Sequence, residues 1–352
     1  MTDSDPLASR FPVLNDALPR LSLATLPTPV GVRDCTVDGA DRQVTIKYDN
    51  LTGERYGGNK VRKLEYIFPL ANARQCSRIA TFGAAGSNHA LATAIYARAS
   101  GFDCTCFLSH QAKTSLVADT LRAHLQLGTE LVRYGGAYAQ RLATLREYLW
   151  GRRAWVIPMG GSSWLGTVGF VVAGLELAEQ LHSGEAPVPD RLYVGSGTMG
   201  TAAGIALGLA LAGVDTEVQA VRVSDVSIMN REALDRLVRK TAMMLRRHDE
   251  SIPADLADSV RIRIRDECFA PGYAQGTALT EEAIAFARGA FDLELEATYT
   301  GKTMAALISD WRSGEAGSAP LYWHTYNSAK IDVGKEVNMD ALPDEFRRYF
   351  EG

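Results

Sequence analysis

The chain has no surplus of either charge. Its 352 residues carry 37 Lys+Arg against 41 Asp+Glu, a formal −4. Without a basic excess there is no electrostatic reason to expect nucleic acid or an anionic membrane as a partner. It also lacks a long apolar run: the stretch near Ile205 to Val214 is too short to span a bilayer. The opening residues Met1-Thr2-Asp3-Ser4-Asp5-Pro6 have neither a basic segment nor an apolar core, so no signal peptide is expected. Cysteine is scarce, being confined to Cys35, Cys76, Cys104, Cys106 and Cys268. Cys104-Thr105-Cys106 has no second Cys/His pair to complete a zinc site, so no metal is expected. The reading is reduced thiols in a cytoplasmic protein. Repeats and low-complexity segments are absent.

What the chain does have is alternation. Strand-like runs occur at Val44–Tyr48, Arg78–Phe82, Cys104–Leu108, Glu130–Tyr134, Trp155–Pro158, Arg191–Val194, Glu217–Val223, Arg261–Ile264 and Leu321–His324. Helical runs separate them at Asn88–Ala99, Ser115–Leu127, Leu165–Gln180, Met199–Ala212, Ile228–Arg247, Thr277–Arg288 and Gly301–Trp311. Such alternation predicts parallel sheets wrapped by helices, and the length suits two α/β lobes with a cleft between them. Gly101 and Gly128 are placed to end their helices. His182 to Pro189 reads as a hinge or connection.

Two glycine-containing turns carry chemistry. Arg191-Leu192-Tyr193-Val194 reads as a buried strand, and Gly195-Ser196-Gly197-Thr198-Met199-Gly200-Thr201 leads from it into an Ala/Gly/Leu-rich helix. Strand, glycine loop and helix start make a phosphate cradle, because backbone N–H groups converge where the helix dipole favours an anion. The string also fits G-x-G-x-x-G, with Asp225 after the next strand, so a nicotinamide dinucleotide enzyme remains a rival. Gly83-Ala84-Ala85-Gly86-Ser87-Asn88-His89 follows a second strand. Ser87 or Asn88 would cap the next helix, and the same N–H groups can take a substrate carboxylate.

Lys60 follows Gly57-Gly58-Asn59. Most lysines are solvated surface charges, but one placed after two glycines at a helix start can be held against a flat cofactor. To form an imine it must lose its proton, which burial and neighbouring cations favour. Lys63 lies on the same helical face one turn later, within reach of a phosphate. Arg62 and Glu65 can face solvent on this reading.

Taken together, Gly58-Asn59-Lys60-Val61-Arg62-Lys63-Leu64-Glu65 and Gly86-Ser87-Asn88-His89 resemble the signatures of the D-cysteine desulfhydrase and 1-aminocyclopropane-1-carboxylate (ACC) deaminase family. The likeness continues through Leu26-Pro27-Thr28-Pro29, Ile157-Pro158-Met159-Gly160-Gly161-Ser162, Ala270-Pro271-Gly272-Tyr273, Tyr299-Thr300-Gly301-Lys302 and His324-Thr325. The resemblance implies a two-lobed α/β fold of the fold-type II pyridoxal-phosphate enzymes, with parallel-rich twisted sheets. Residues 1–62 and 176–352 would form a large cofactor-binding domain and 63–175 a small one. It implies pyridoxal 5'-phosphate as cofactor, a small amino acid as substrate and a homodimer. Lys60 would hold the cofactor covalently. Lys63 and Gly197, Thr198, Met199, Gly200 and Thr201 would hold its phosphate. Asn88 would bond its phenolic oxygen, and Thr325 would lie toward the ring. Ser87, Asn88 and His89 would receive the substrate carboxylate. Tyr273 and Tyr299 match the family's two active-site tyrosines.

Two positions bear on the reaction. Thr300 and Thr325 stand where the ACC deaminase branch has Glu and Leu. Hydroxyls leave a pyridine nitrogen nearer neutral than a carboxylate would. Expelling a β-leaving group needs less help from the ring than opening a cyclopropane, so β-elimination to a 2-oxo acid and ammonia is expected, with ACC deamination as the alternative. The sequence also departs from the pattern, at Asn50, at Ala90 to Thr93, at Ala297-Thr298 and most of all at two adjacent positions. Tyr326-Asn327 replace two usual glycines, which alters the substrate pocket and leaves open a catalytically inactive cofactor-binding protein.

Overall fold

The computed structural model describes residues 5–136, 138–269, 274–329 and 337–351. In chain order these form α1 (Pro6–Arg10), α2 (Val13–Ala17), β1 (Val30–Val37), β2 (Ala40–Lys47), α3 (Lys60–Ala73), β3 (Arg78–Ala84), α4 (Asn88–Ala99), β4 (Asp103–Ser109), α5 (Ser115–Gln126), β5 (Glu130–Arg133), α6 (Tyr138–Leu149), β6 (Ala154–Ile157), α7 (Trp164–His182), β7 (Arg191–Ser196), α8 (Gly200–Ala212), β8 (Glu217–Arg222), α9 (Arg231–His248), β9 (Ile262–Arg265), α10 (Ala278–Phe291), α11 (Thr300–Ser313), β10 (Leu321–Trp323) and α12 (Asp344–Arg347). Each strand and helix expected from the alternation is present, with ends within a few residues. Gly101 and Gly128 adopt positive φ just past α4 and α5, as helix-ending glycines do.

The chain divides into two compact units. The first comprises Met1–Tyr66 and Ser162–Ala329 and is built on the sheet β1-β2-β10-β7-β8-β9. β1 runs antiparallel to β2, with Val37 opposite Ala40. The other pairings are parallel. Alternation along β10 sends neighbouring residues to opposite faces. The Tyr322 hydroxyl donates to the Thr300 carbonyl at the start of α11, while the Trp323 ring packs on Phe170 of α7. α10 and α11 cover one face through Ala283, Ala287, Met304, Leu307 and Trp311. α7 and α8 pack together so closely that a Cβ on Gly174 would lie 2.6 Å from the Ile205 carbonyl oxygen. Only glycine permits that approach.

The second unit comprises Ile67–Gly161 and Lys330–Gly352, with the parallel sheet β5-β4-β3-β6. Leu145, Tyr148 and Leu149 of α6 pack on Ala80, Phe107 and Val132. Cys104 and Cys106 share a face, their Sγ atoms 3.8 Å apart, and all five cysteines are free thiols.

The reading that Arg62 and Glu65 can face solvent is wrong. Both are 1% exposed. The Arg62 guanidinium bonds Asp49 at 2.8 Å and both oxygens of Glu176 at 2.9 Å. Lys47 Nζ completes the cluster against Glu176 and Gln180. Glu65 accepts from the backbone N–H groups of Leu23 and Ala24 and from Arg20. Pro69 cannot donate to the Glu65 carbonyl four residues back, and the Leu21 N–H takes that acceptor at 2.9 Å. The first turns of α3 are therefore enclosed all round, so their charges are buried and paired rather than solvated.

Burial alone would raise the Glu176 pKa, but Arg62 and Lys47 outweigh it and hold the carboxyl at about 2, against an ordinary 4.5. A depressed carboxylate contributes stability that is complete above the unfolded pKa and is lost as pH falls through the folded one. Arg62→Met should lower stability at pH 7 by about 3–5 kcal/mol, since it leaves buried carboxylates uncompensated. Urea unfolding of the two proteins should then converge between pH 4.5 and about 2.

Candidate active site

Lys60 opens α3 from a backbone clamped on two sides. Gly58 has φ +85°, and a Cβ there would lie 2.6 Å from the Thr325 carbonyl oxygen. That carbonyl accepts from the Asn59 N–H at 3.2 Å, and the Gly58 N–H donates to the Asp49 carbonyl at 2.8 Å. The Gly57 N–H donates to Asn327 Oδ1 at 2.6 Å. Asn327, standing where the resemblance expects glycine, thus ties the 325–327 loop to the residues just before Lys60. Tyr326 is half-buried, and burial, with the charges of Glu296 and Glu294, pushes its phenol pKa up, so it stays neutral.

Burial holds the Lys60 amine down to about 8, opposed by the negative charge of Glu296. Its Nζ lies 5.7 Å from the Tyr299 ring centroid. Tyr299 packs over the glycine loop: a Cβ on Gly197 would lie 3.0 Å from its hydroxyl. Glu296 sets this arrangement. Its carboxylate accepts from the N–H groups of Thr298 at 2.7 Å, Tyr299 at 2.7 Å and Thr300 at 2.9 Å. It thereby caps α11, where negative charge meets the helix dipole favourably. The Thr300 hydroxyl also turns to Glu296.

The glycine loop after β7 leads into α8 through Met199, which is left-handed at φ +65° and gives no side-chain cap. Around this helix start lie the hydroxyls of Ser162 and Thr198, 2.7 Å apart. Gly200 N–H and Lys63 Nζ both donate to Ser162 Oγ, at 3.2 and 3.3 Å. Asn59 Nδ2 donates to Thr201 Oγ1 at 3.0 Å. A Cβ on Gly200 would lie 3.0 Å from Lys63 Nζ and close the recess. Burial, with the charge of Lys60, pushes the Lys63 pKa well down. Hydroxyls, a helix N-terminus and a buried amine converge here as a phosphate monoester requires.

In the second unit, Ser87, Asn88 and His89 lie together at the start of α4. Ser87 is the N-cap, its Oγ accepting from the Ala90 N–H at 3.3 Å. The Gly86 N–H donates to Gln111 Oε1 at 2.9 Å. Thr81 donates its hydroxyl hydrogen to the Ile157 carbonyl, so His89 Nε2, 2.9 Å from the same oxygen, carries a proton and donates.

The expected residues Lys60, Lys63, Gly197 to Thr201, Tyr299, Thr325 and Tyr326 thus gather in the first unit, and Ser87 to His89 in the second. Tyr273 lies outside the described residues. Asn59, Ser162 and Glu296 have no role in the sequence reading. Ser162 could have been found from the turn Gly160-Gly161 ahead of it, and Glu296 as an acidic residue just before a helix. Among the described residues, no group of three or more His, Cys, Asp or Glu could hold a metal, and no helix is long and apolar enough to cross a membrane.

The model of the pyridoxal-phosphate dependent enzyme family matches residues 21–319. The chain belongs to this family. Nocardicin C-9' epimerase of Nocardia uniformis subsp. tsuyamanensis is 35% identical over 345 residues, covering 95% of this chain and 99% of that protein. D-cysteine desulfhydrase of Salmonella paratyphi B is 33% identical over 322 residues, covering 87% and 93%. A solved structure of an ACC deaminase homologue superposes with a TM-score of 0.74 at 27% identity, covering 94% of this chain and 96% of that one. The fold is the α/β fold-type II class expected from the sequence, and the cofactor is pyridoxal 5'-phosphate. The dinucleotide reading of the G-x-G-x-x-G string is overturned by the family match. The residues present fit the cofactor, since the Lys60 amine, its pKa lowered by burial, opens the helix whose Lys63 donates to Ser162 beside the start of α8.

Only the neutral amine attacks an aldehyde. With Lys60 as the capturing amine, the rate at which the cofactor-free protein takes up pyridoxal phosphate would rise with pH and level off above about 8. Glu296→Gln removes the charge that favours the ammonium form, so the midpoint should move to lower pH. Stopped-flow absorbance across pH 6–10 checks both.

Proposed function

We propose that the protein is a pyridoxal-phosphate-dependent lyase acting on a small amino acid, removing a β-substituent to give a 2-oxo acid and ammonia. The observation that carries this reading is the Lys60 amine, held near neutrality and opening the same helix that supplies Lys63 to the cradle around Ser162, Thr198 and Gly200. On this reading Lys60 binds the cofactor covalently, and Lys63, Ser162 and Gly197 to Thr201 hold its phosphate. Asn88 serves the ring oxygen, and Thr325 the ring edge. Ser87, Asn88 and His89 take the substrate carboxylate, with Tyr326 shaping the pocket and Tyr273 and Tyr299 as the active-site phenols. The larger unit is then the cofactor-binding part. The family resemblance further supports a homodimer, and the free thiols support a reducing, cytoplasmic location.

When bound, pyridoxal phosphate supplies an electron sink for charge developing at the substrate Cα. Lys60, neutral above about pH 8, is suited to take the Cα proton. The Tyr299 phenol beside it is held in place by the Glu296 cap. The Thr300 hydroxyl is engaged by Glu296, which leaves Thr325 as the hydroxyl for the ring. That pairing favours elimination over ring opening.

A second reading is epimerisation at Cα. The Nocardia relative, an epimerase by name, covers almost the whole chain at 35% identity. Both reactions begin by removing the Cα proton, and they differ in whether a leaving group departs or a proton returns.

Incubation of the cofactor-loaded protein with small D- and L-amino acids in D2O separates the readings. Elimination releases ammonia and a 2-oxo acid. Epimerisation places deuterium at Cα of both stereoisomers without ammonia. A cofactor spectrum that ignores every amino acid would sink both and leave a binding protein. Lys60→Ala should lose the long-wavelength cofactor band with the fold retained, and turnover should drop by roughly 10²–10⁴-fold. Thr300→Glu with Thr325→Leu should move activity toward ACC deamination.

A further inference from the structure

The turn before α4 is held from outside its own strand and helix. The Ala85 N–H donates to the Ser109 carbonyl at 2.9 Å, and the Gly86 N–H to Gln111 Oε1 at 2.9 Å. Both acceptors follow from β4 and the loop after it. Gln111 packs against the same glycine: a Cβ on Gly86 would lie 3.0 Å from Gln111 Nε2. The side chain that fixes the turn is itself fixed by the C-terminal segment. The Gln111 N–H donates to the Tyr349 hydroxyl at 2.9 Å, and that hydroxyl donates to the Gln111 carbonyl at 3.1 Å. One phenol oxygen thus closes a ring on both backbone groups of a single residue. His110 Nδ1 lies 3.2 Å from the same oxygen.

The segment carrying Tyr349 is firmly seated. Leu342 and Tyr349 are each 2% exposed, and Phe346 is fully buried, its ring 5.6 Å from that of His110. Lys113 reaches the Glu351 carbonyl, and Arg122 stacks over Phe350 at 5.0 Å. Residues 338–351 therefore line the 110–114 loop on which the turn depends.

We infer that Gln111, braced by Tyr349 of the C-terminal segment, is a positioning residue for the turn Gly86 to His89 and so sets the affinity for the carboxylate of an amino-acid substrate. This rests on the proposed assignment of that turn to the carboxylate. The Gln111 amide acts through Gly86, and the Tyr349 hydroxyl acts through Gln111. A tail that served packing alone would need the Tyr349 ring but not its oxygen.

The test compares wild type, Gln111→Ala, Tyr349→Phe and Ser87→Ala as cofactor-loaded proteins. Two readouts are taken: hydrogen–deuterium exchange of the peptide spanning residues 83–90 without ligand, and the apparent Kd for D- and L-alanine read from the cofactor spectrum. Alanine carries the carboxylate and amine but no β-leaving group. Thermal melting checks that each variant is folded. Loss of one hydrogen bond at the turn should weaken alanine binding roughly three- to tenfold. Gln111→Ala and Tyr349→Phe should both speed exchange in 83–90 and raise Kd, Tyr349→Phe with little change in melting. For any amino acid that turns over, KM should rise while kcat holds, the pattern of lost uniform binding. If Ser87→Ala raises Kd while the other two variants leave exchange and Kd at wild-type values, the inference is overturned and the carboxylate assignment stands. If Ser87→Ala leaves Kd unchanged, or neither alanine perturbs the wild-type spectrum, the carboxylate assignment fails and takes the inference with it.

Discussion

Arg62 is the constraint on which the first unit turns. Its guanidinium spans Asp49 and Glu176, and Lys47 reaches the same Glu176, so two cations and two carboxylates neutralise one another out of contact with water. Asp49 follows β2, Glu176 belongs to α7, and Arg62 lies in the first turn of α3. One charge cluster thus fixes a strand end, a long helix and the helix that carries Lys60. Such a cluster contributes less net stability than its short distances suggest, because desolvating four charges offsets most of the attraction. Its geometric consequence is firmer. A helix start with a buried guanidinium locked into two carboxylates cannot rotate or slip by a residue without stranding a charge. Lys60 and Lys63, one turn apart, are therefore held on one face.

That face gathers positive charge where an anion is expected. Burial makes each ammonium costly, and the proximity of Lys60 raises the cost for Lys63. The start of α8, where Met199 gives no side-chain cap, adds a further positive end. Glu296 counters this from the far side. Its carboxylate is committed to three backbone N–H groups leading into α11, and its field still favours the Lys60 ammonium. The amine is thereby poised between two states near pH 8 rather than driven fully to one. A nucleophile or base working near neutrality needs that balance.

How much of this was legible in the sequence depended on what each residue type reports locally. Parallel strands and their helices were readable because buried strands are short apolar runs and helix ends carry Gly101 and Gly128. β1 was not, because Val30–Val37 mixes Gly, Arg, Asp and Thr on a sheet edge where alternation is weak. Its Asp38-Gly39 turn, with both φ positive, was the available hairpin signal. α6 has no fully buried residue and so prints no strong stripe. At the site, Lys60, Lys63 and the two glycine turns were readable because their spacing is itself the geometry. Arg62 and Glu65 were misread because a charged side chain says nothing about a partner far away in sequence. Asp49 and Glu176 stand 13 and 114 residues from Arg62. Gln111 was hidden for the same reason, since its bond to Gly86 is made across two parallel strands.

The replacement of two expected glycines by Tyr326-Asn327 shows how such long-range ties change the meaning of a local departure. Read along the chain, a phenol and an amide at glycine positions threaten the backbone path beside Lys60. In the fold, Asn327 uses its side chain to accept the Gly57 N–H and to close on Ala329, so the loop is tied by bonds that glycine could not make. The close approach is instead accommodated on the other partner, where Gly57 and Gly58 keep the space that a Cβ would fill. Tyr326, left neutral by its raised pKa, then adds bulk and a hydroxyl without adding charge. The departure therefore leaves intact the bonds that fix Gly57 to Asn59 ahead of Lys60 and those joining Lys63, Ser162 and Gly200.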